Sequence, residues 1–344
     1  MVKNNNQTYF TIIVPIYNSD KWVDNCINSV FHQTYNNFEL VLVNDGSTDK
    51  SLDICQQYSN NHKNIKIFST KHLGANHARL HGLKNSNGKY IIFIDSDDQI
   101  TNNCLDELHK ITQRHHPELV LFNLIINEKD KKILWNNNTN SNYNSISGYF
   151  DKERINKILY PEIFDIGRNF IAAWSCCFKK ELLEKSFCKN LNIVYGEDFC
   201  TLYPSIYNAG SIYFLDKYLY CYNKINNSNF SREKLYTFSN ILILYEYLFN
   251  EFVSANKQIK MQIEKSFIYA IWVWCDTNIK YGKKCFILKL DKINNKEYQQ
   301  LNGINSNSLF SISEKLLLMF LKRKNFQKIY WLIKTNKFIY NLSH

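Results

Sequence analysis

Several features are missing from this 344-residue chain, and each absence closes off a class. No Gly-x-Gly-x-x-Gly follows the first predicted strand, so a dinucleotide has no phosphate cradle there. The ten cysteines form no Cys-x-x-Cys pair, and the adjacent Cys176 and Cys177 cannot easily bridge each other. Most read as buried free thiols of a reducing cytosol. Between Phe267 and Cys275 the longest strongly apolar stretch reaches nine residues, too short to span a bilayer. A polar N-terminus gives no sign of a signal peptide, and the expected location is cytoplasmic. A net charge of +11 with 15% aromatic residues would suit a nucleic-acid binder, but the basic residues gather at the C-terminus and no RNA or DNA motif is present. Nucleic acid is therefore not an expected partner.

What is present starts with Tyr-Ile-Ile-Phe-Ile at 90–94, an apolar strand that stops at Asp95-Ser96-Asp97-Asp98. Two aspartates one residue apart on a tight turn can hold a hard divalent cation and leave coordination places for diphosphate oxygens. The alternative is an ordinary polar turn after a buried strand. Upstream lie strands at Thr11–Pro15, Phe38–Val43 and Ile65–Phe68, with helical patterns at Trp22–Gln33 and Gly74–Ser86 between and after them. Strands alternating with helices of about a dozen residues imply a parallel sheet with right-handed crossovers. Pro15–Ser19, Asn44–Ser47 and Asp95–Asp98 should then meet at the carboxyl edge, where open α/β sheets bind ligands.

The runs Ile-Val-Pro-Ile-Tyr-Asn (13–18), Ser-Val-Phe-His-Gln-Thr-Tyr (29–35), Phe-Glu-Leu-Val-Leu-Val-Asn-Asp-Gly-Ser-Thr-Asp (38–49), Ala78-Arg79, Gly82 and Gly-Lys-Tyr-Ile-Ile-Phe-Ile-Asp-Ser-Asp-Asp (88–98) occur in order. Together they resemble the family-2 glycosyltransferases of GT-A fold, over roughly residues 9–225. The resemblance implies an open, mostly parallel α/β sheet flanked by helices, with a nucleotide-sugar half at 9–100 and an acceptor half at 101–225. It implies an inverting hexosyltransferase of cell-surface glycan assembly that takes a nucleotide-sugar donor, UDP-sugar foremost, and needs Mn²⁺ or Mg²⁺. The alternatives are a nucleotidyltransferase on a similar sheet, which would carry a Gly-rich basic loop where Pro15-Ile-Tyr-Asn18 stands, and a non-catalytic nucleotide-sugar binder.

Residue by residue, the resemblance places Pro15, Tyr17, Asn18, Asp45, Arg79, Asp95 and Ser96 around the donor. Asp45 would accept the N3 hydrogen of uracil, as a carboxylate can; its other reading is a cap for the following turn. Tyr17 would offer a stacking face, or serve as a plain core aromatic. Arg79 would approach the pyrophosphate, to which guanidinium is suited. Asp97 would bind the metal directly, Asp95 would face the ribose or the metal's waters, and Asp98 would stand behind them. In the second half Gly196-Glu197-Asp198-Phe199 resembles the acceptor motif. A single displacement at the anomeric carbon needs one carboxylate to take the acceptor proton. The resemblance makes Asp198 the expected base, with Glu197 the runner-up; two acids at a helix start, favoured by its dipole, is the other reading. Trp174 resembles the family's acceptor-binding tryptophan, and Tyr220-Cys-Tyr222 with Ser228 its closing region. Two positions depart from the pattern: Leu80 stands for the usual Asn and Cys176 for the usual Lys.

From about residue 230 to 344 a helical module is expected, with helices at Leu235–Phe252, Ile263–Ile279 and Glu314–Thr335 and a loop at Asn294–Asn307. From Glu314 to His344 there are seven Lys or Arg against one acid, a net +6, beside Leu316, Leu317, Phe320, Leu321, Phe326, Tyr330, Trp331 and Ile333. A basic helix with such a face can lie in the surface of an anionic bilayer and bring the enzyme to a lipid-linked acceptor. The other reading packs that face against protein.

Overall fold

The computed structural model describes residues 8–128, 131–135, 147–159, 172–190, 193, 196–224, 237–252, 254–255, 257–291, 301, 304 and 311–342. The chain divides into two compact units, Met1–Lys157 with Asn169–Leu191 and Glu197–Asn226, and Ile158–Arg168 with Asn192–Gly196 and Asn227–His344. Ser228 and most of the 294–307 stretch lie outside the described residues.

The first unit opens with β1 (Phe10–Ile16), α1 (Val23–Phe31), β2 (Phe38–Asn44), α2 (Ser51–Asn61), β3 (Ile65–Ser69), α3 (Ala75–Lys84) and β4 (Tyr90–Phe93). All pairings among these strands are parallel, in the order β3-β2-β1-β4. β1 and β2 are buried at every position, as their unbroken apolar runs require when helices cover both faces. One face carries Ile12, Val14, Leu40, Leu42 and Ile92 against Val23, Cys26, Ile27 and Val30 of α1. On α3, Gly82 allows close approach to the sheet, since a Cβ there would lie 2.5 Å from Ile13 Cγ2. That seat also fixes Arg79, one turn earlier on the same buried stripe.

The chain continues through β5 (Gln99–Ile100), α4 (Cys104–His115), β6 (Leu119–Glu128), β7 (Lys131–Trp135), β8 (Gly148–Asp151), β9 (Cys176–Lys179), α5 (Lys180–Ser186), α6 (Glu197–Asn208) and β10 (Ser211–Asn223). β10 runs parallel to β6, but β9 enters antiparallel between β4 and β6, and β5 pairs antiparallel with β10. The sheet is thus parallel on its first side and mixed beyond β4. The two-residue β5, directly after Asp98, pairs with Tyr220 and Cys221 and so holds the turn after β4 beside the last residues of β10.

The second unit is helical: α7 (Phe238–Glu251), α8 (Lys257–Ile279), α9 (Lys283–Asp291), α10 (Ile312–Lys322) and α11 (Phe326–Leu342). α7 packs on α8, and α11 packs on α8, α9 and α10. A ring network binds them, with Tyr245 stacked on Phe267 at 4.0 Å and Phe286 5.8 Å from Tyr330. The expected single helix at Glu314–Thr335 is two helices. Lys324, in the left-handed region at φ 51°, donates to Leu321 O, and Asn325 N donates to Phe320 O, a pair of bonds that closes α10. Asn325 Oδ1 then accepts Lys328 N and starts α11. Of the apolar face read from sequence as either membrane-facing or packed on protein, Leu317, Leu321, Phe326 and Ile333 are buried; Trp331 is exposed. Among the described residues no helix is long and apolar enough to cross a membrane.

Candidate active site

The loops after β1, β2 and β4 are tied together by short polar side chains. Asn18, left-handed at φ 48° as asparagine tolerates, accepts Thr48 N at 2.8 Å and gives its own N–H to Ser47 Oγ at 3.1 Å. Ser19 N donates to Ser51 Oγ, and the Ser19 and Ser96 hydroxyls lie 2.6 Å apart. Asn18 and Ser96, expected around the donor, are thus the joints of the rim. Pro15 sits in β1 opposite Val43, one place before the strand ends. Tyr17 is partly exposed, and its ring is stacked on His72 at 3.8 Å.

Asp45 is 2% exposed, and its carboxylate is well supplied. Oδ1 accepts Thr70 Oγ1 at 2.7 Å and Leu73 N at 2.9 Å; Oδ2 accepts Gly74 N at 2.7 Å. It anchors the loop that leads into α3, while Asn44 Oδ1 holds the 44–47 turn by accepting Ser47 N. The capping alternative for Asp45 is replaced by this longer reach. A carboxylate has about four acceptor positions. The one left lies on Oδ2, which His72 Nδ1 approaches to 3.6 Å.

The three aspartates after β4 differ in surroundings. Asp98 is buried, with Oδ2 accepting the Tyr220 hydroxyl and Oδ1 accepting Asn223 N, each at 2.7 Å. Tyr220 also accepts Asp95 N at 3.2 Å, and Asn223 Nδ2 donates to Asp97 O at 2.7 Å. β10 therefore shapes the turn, and Asp98 serves it from behind. Among the described residues the Asp97 carboxylate has no ion-pair or side-chain hydrogen-bond partner, and burial followed by repulsion from Asp95 pushes it up to about 6. An enclosed carboxylate beside a second one fits a divalent cation. Among the described residues no group of three or more His, Cys, Asp or Glu could hold a metal unaided. Asp97 and Asp95 would need diphosphate oxygens and water to complete a coordination shell.

Arg79 brings the two halves together. Its buried guanidinium places Nη2 2.7 Å from Asp95 Oδ1, and Nη1 3.4 Å from Asp198 Oδ1 and 3.6 Å from Glu197 Oε1. Burial opposes its charge, but the three carboxylates outweigh that and raise its pKa. Glu197 and Asp198 open α6, where the helix dipole favours acids. Burial lifts the Asp198 carboxyl to about 7; Arg79 pulls it down, and Glu197 and Asp95 add to the rise. The Asp198 side chain still keeps 24% of its surface, so a hydroxyl can reach it.

Trp174 is 4% exposed and stacks on Tyr220 at 4.6 Å and on Tyr222 at 5.6 Å. That leaves little surface to meet an acceptor; the indole backs the tyrosine that holds Asp98 and Asp95. Cys176 is buried, its thiol donating to Ala172 O. Sequence reasoning gave Tyr220 only as part of a closing region, and passed over Asn223, His72 and Asn76. Tyr220 and Asn223 organise the aspartate turn, and His72 covers Tyr17. Among the described residues, Asn76, one turn before Arg79, has a buried Nδ2 without a hydrogen-bond partner, as does Arg79 at Nε. The i, i+3 spacing of Asn76 and Arg79 was the one available signal.

Residues 11–177 match the model of glycosyl transferase family 2. Among curated proteins the chain is 30% identical over 223 residues to glycosyltransferase GlyA of Streptococcus pneumoniae serotype 4, covering 64% of this chain and 31% of that protein. It is also 30% identical over 218 residues to the cholesterol galactosyltransferase of Borreliella burgdorferi, covering 61% and 58%. The chain thus spans less than two thirds of either relative. Among solved structures, Staphylococcus aureus TarS 1–349 superposes with a TM-score of 0.69 at 21% identity, over 96% of this chain and 91% of that one. The same fragment has been crystallised with UDP-GlcNAc, and matches with a TM-score of 0.67. At that identity the likeness is one of fold. Residues 11–177 of this chain carry a domain of glycosyl transferase family 2.

Proposed function

We propose that this protein is a metal-assisted, inverting glycosyltransferase that moves a sugar from a UDP-sugar to an acceptor hydroxyl in cell-surface glycan assembly. The observation that carries this reading is the Arg79 bridge, which sets a metal-competent aspartate pair and a basic carboxylate on opposite sides of one guanidinium. The UDP and UDP-GlcNAc complexes of TarS support the donor, and the B. burgdorferi relative, named for transfer to a sterol, supports a lipid-linked acceptor. We place its work in a reducing compartment, at the inner face of the cell membrane; ten cysteines without a disulfide support the first part of that placement.

On this reading Tyr17 and Asp45 face the nucleobase and Arg79 donates to diphosphate oxygens. Mn²⁺ or Mg²⁺ held by Asp97 and Asp95 would supply positive charge against the leaving diphosphate. Asp198 takes the proton as the acceptor oxygen bonds to the anomeric carbon, the bond from that carbon to the diphosphate breaks, and UDP leaves. One displacement inverts the centre. Glu197, 3.6 Å from the same guanidinium nitrogen, holds Arg79 beside the base.

The test is a screen of nucleotide sugars for metal-dependent release of nucleoside diphosphate, repeated with Asp198→Asn. Release of UDP from a UDP-sugar, lost in the variant while the donor still binds, is expected. Pyrophosphate release from UTP and a sugar phosphate would instead assign a nucleotidyltransferase.

A further inference from the structure

The second unit has its own exposed surface of aromatic and aliphatic side chains set among lysines. Tyr281, in the turn between α8 and α9, is 46% exposed, and the ammonium groups of Lys280 and Lys289 lie 5.1 and 4.3 Å from its ring centre. Trp331, on the outer side of α11, is 52% exposed, with Lys283 at 5.7 Å and Lys334 at 5.2 Å from its ring. Lys283 thus joins the start of α9 to the outer side of α11. Lys284 and Leu288 continue this face from Tyr281 at the i+3 and i+7 positions, and Leu288 is 51% exposed. Residues 280–289 and 326–342 together hold seven lysines and no acid.

We infer that this face, made by the α8–α9 turn, α9 and the outer side of α11, is where the protein lies on an anionic lipid bilayer. The inference rests on the proposed work at the inner membrane face, and names the surface. Three observations favour lipid over other polyanions. Leu288 is an aliphatic side chain presented to solvent, of use in an acyl boundary and of none to a phosphodiester backbone. Trp and Tyr prefer the headgroup level, where one part of the ring is apolar and the other wet. Lysines around such rings can extend toward headgroups while their stems cover apolar surface. No described helix can cross the bilayer, so contact would be interfacial. The site is also not the C-terminal helix pattern read as a whole. Leu317, Leu321, Ile329 and Ile333 of that stretch are buried in the helical unit, so removing residues 314–344 would break a core and not a docking face.

Cys285, the one exposed cysteine of ten, sits within the face on α9 and accepts an environment-sensitive fluorophore. The full chain labelled there is mixed with vesicles of phosphatidylcholine alone, or with about one third phosphatidylglycerol, and binding is followed by emission and by flotation. Binding to the anionic vesicles alone is expected, with a blue shift and loss in high salt. Lys280→Glu/Lys283→Glu/Lys284→Glu should weaken it at least tenfold, and Trp331→Ser severalfold, with circular dichroism and UDP release from the donor unchanged, since every altered side chain is exposed. Absence of vesicle binding, binding indifferent to the charge reversal, or face-dependent capture of a single-stranded oligonucleotide in place of vesicles would overturn the inference. Failure of UDP release with intact vesicle binding would sink the enzymatic reading and leave the docking face standing.

Discussion

Arg79 and Asp198, 119 residues apart, meet with Nη1 3.4 Å from Oδ1. The contact sets what protonation state a base on α6 has near neutral pH. Burial pushes the Asp198 carboxyl up to about 7, and Arg79 is the partner that lowers it. A base must be ionised to act, so the transfer rate should rise with pH through about 7 and fall below it. Asp198→Asn should lose about 10²–10⁴-fold in transfer, the usual share of a general base, while UDP and metal still bind. Near-normal transfer in that variant would move the role to Glu197.

Replacing Arg79 tests the same contact from the other side. Loss of an opposite charge at this range raises a carboxylate by about 1–3 units, so Arg79→Met should carry the rate midpoint upward by that order. Donor affinity should fall as well if the guanidinium meets the diphosphate as proposed. An Arg79→Met protein with the wild-type pH midpoint would show that the pair does not tune the base.

Asp97 should reveal the metal without any turnover. Its folded-state carboxyl, at about 6, is above the unfolded value of 3.8, so ionising it burdens the folded state. That penalty grows as pH rises from the unfolded to the folded value, and is full above about 6. Asp97→Asn removes it, so at pH 8 without metal the variant should melt higher than wild type. Mn²⁺ with UDP should raise the wild-type Tm and leave the variant nearly unmoved. Equal Mn²⁺-dependent gains in both proteins, or full transfer in EDTA, would remove Asp97 from the metal.

How much of this could be read from the chain alone depends on the distance over which each residue's partners lie. The Tyr90–Asp98 strand and turn were legible, because an apolar run ending in acids is a local pattern. The convergence of Pro15–Ser19, Asn44–Ser47 and Asp95–Asp98 followed from strand and helix alternation. The roles proposed for Asp95, Asp97 and Asp98 rested on resemblance; the different surroundings of the three come from Tyr220 and Asn223, 122 to 126 positions away. Trp174 looked like a ligand contact because sequence does not show which ring lies against Tyr220. The break at Lys324 was hidden because a lysine, and not a glycine, takes the left-handed position. α9 went unpredicted because its nine residues bury two side chains, Phe286 and Leu290, too few to set a period.

Asp45 separates nucleotide recognition from loop anchorage. If its remaining acceptor position takes uracil N3–H, UDP should bind more tightly than CDP by about 1.5–3 kcal/mol, the range for a hydrogen bond to a charged group. Asp45→Ala should erase the difference, but it also frees Thr70, Leu73 and Gly74. His72→Ala is the cleaner companion, since it clears Tyr17 and Oδ2 without releasing the loop. Calorimetry that finds equal UDP and CDP affinities in wild type would assign Asp45 to the loop alone.

Tyr220→Phe probes the support behind the aspartates. The ring would still stack on Trp174, but Asp98 Oδ2 and Asp95 N would each lose a partner in a buried setting. Leaving such groups unmet costs about 1–3 kcal/mol. Denaturant unfolding should therefore show a loss of that size with an unchanged m-value. Metal affinity should fall too, because Asp95 and Asp97 sit on the turn that Tyr220 fixes. A variant as stable as wild type with the same Mn²⁺ affinity would mean that Asn223 alone holds the turn.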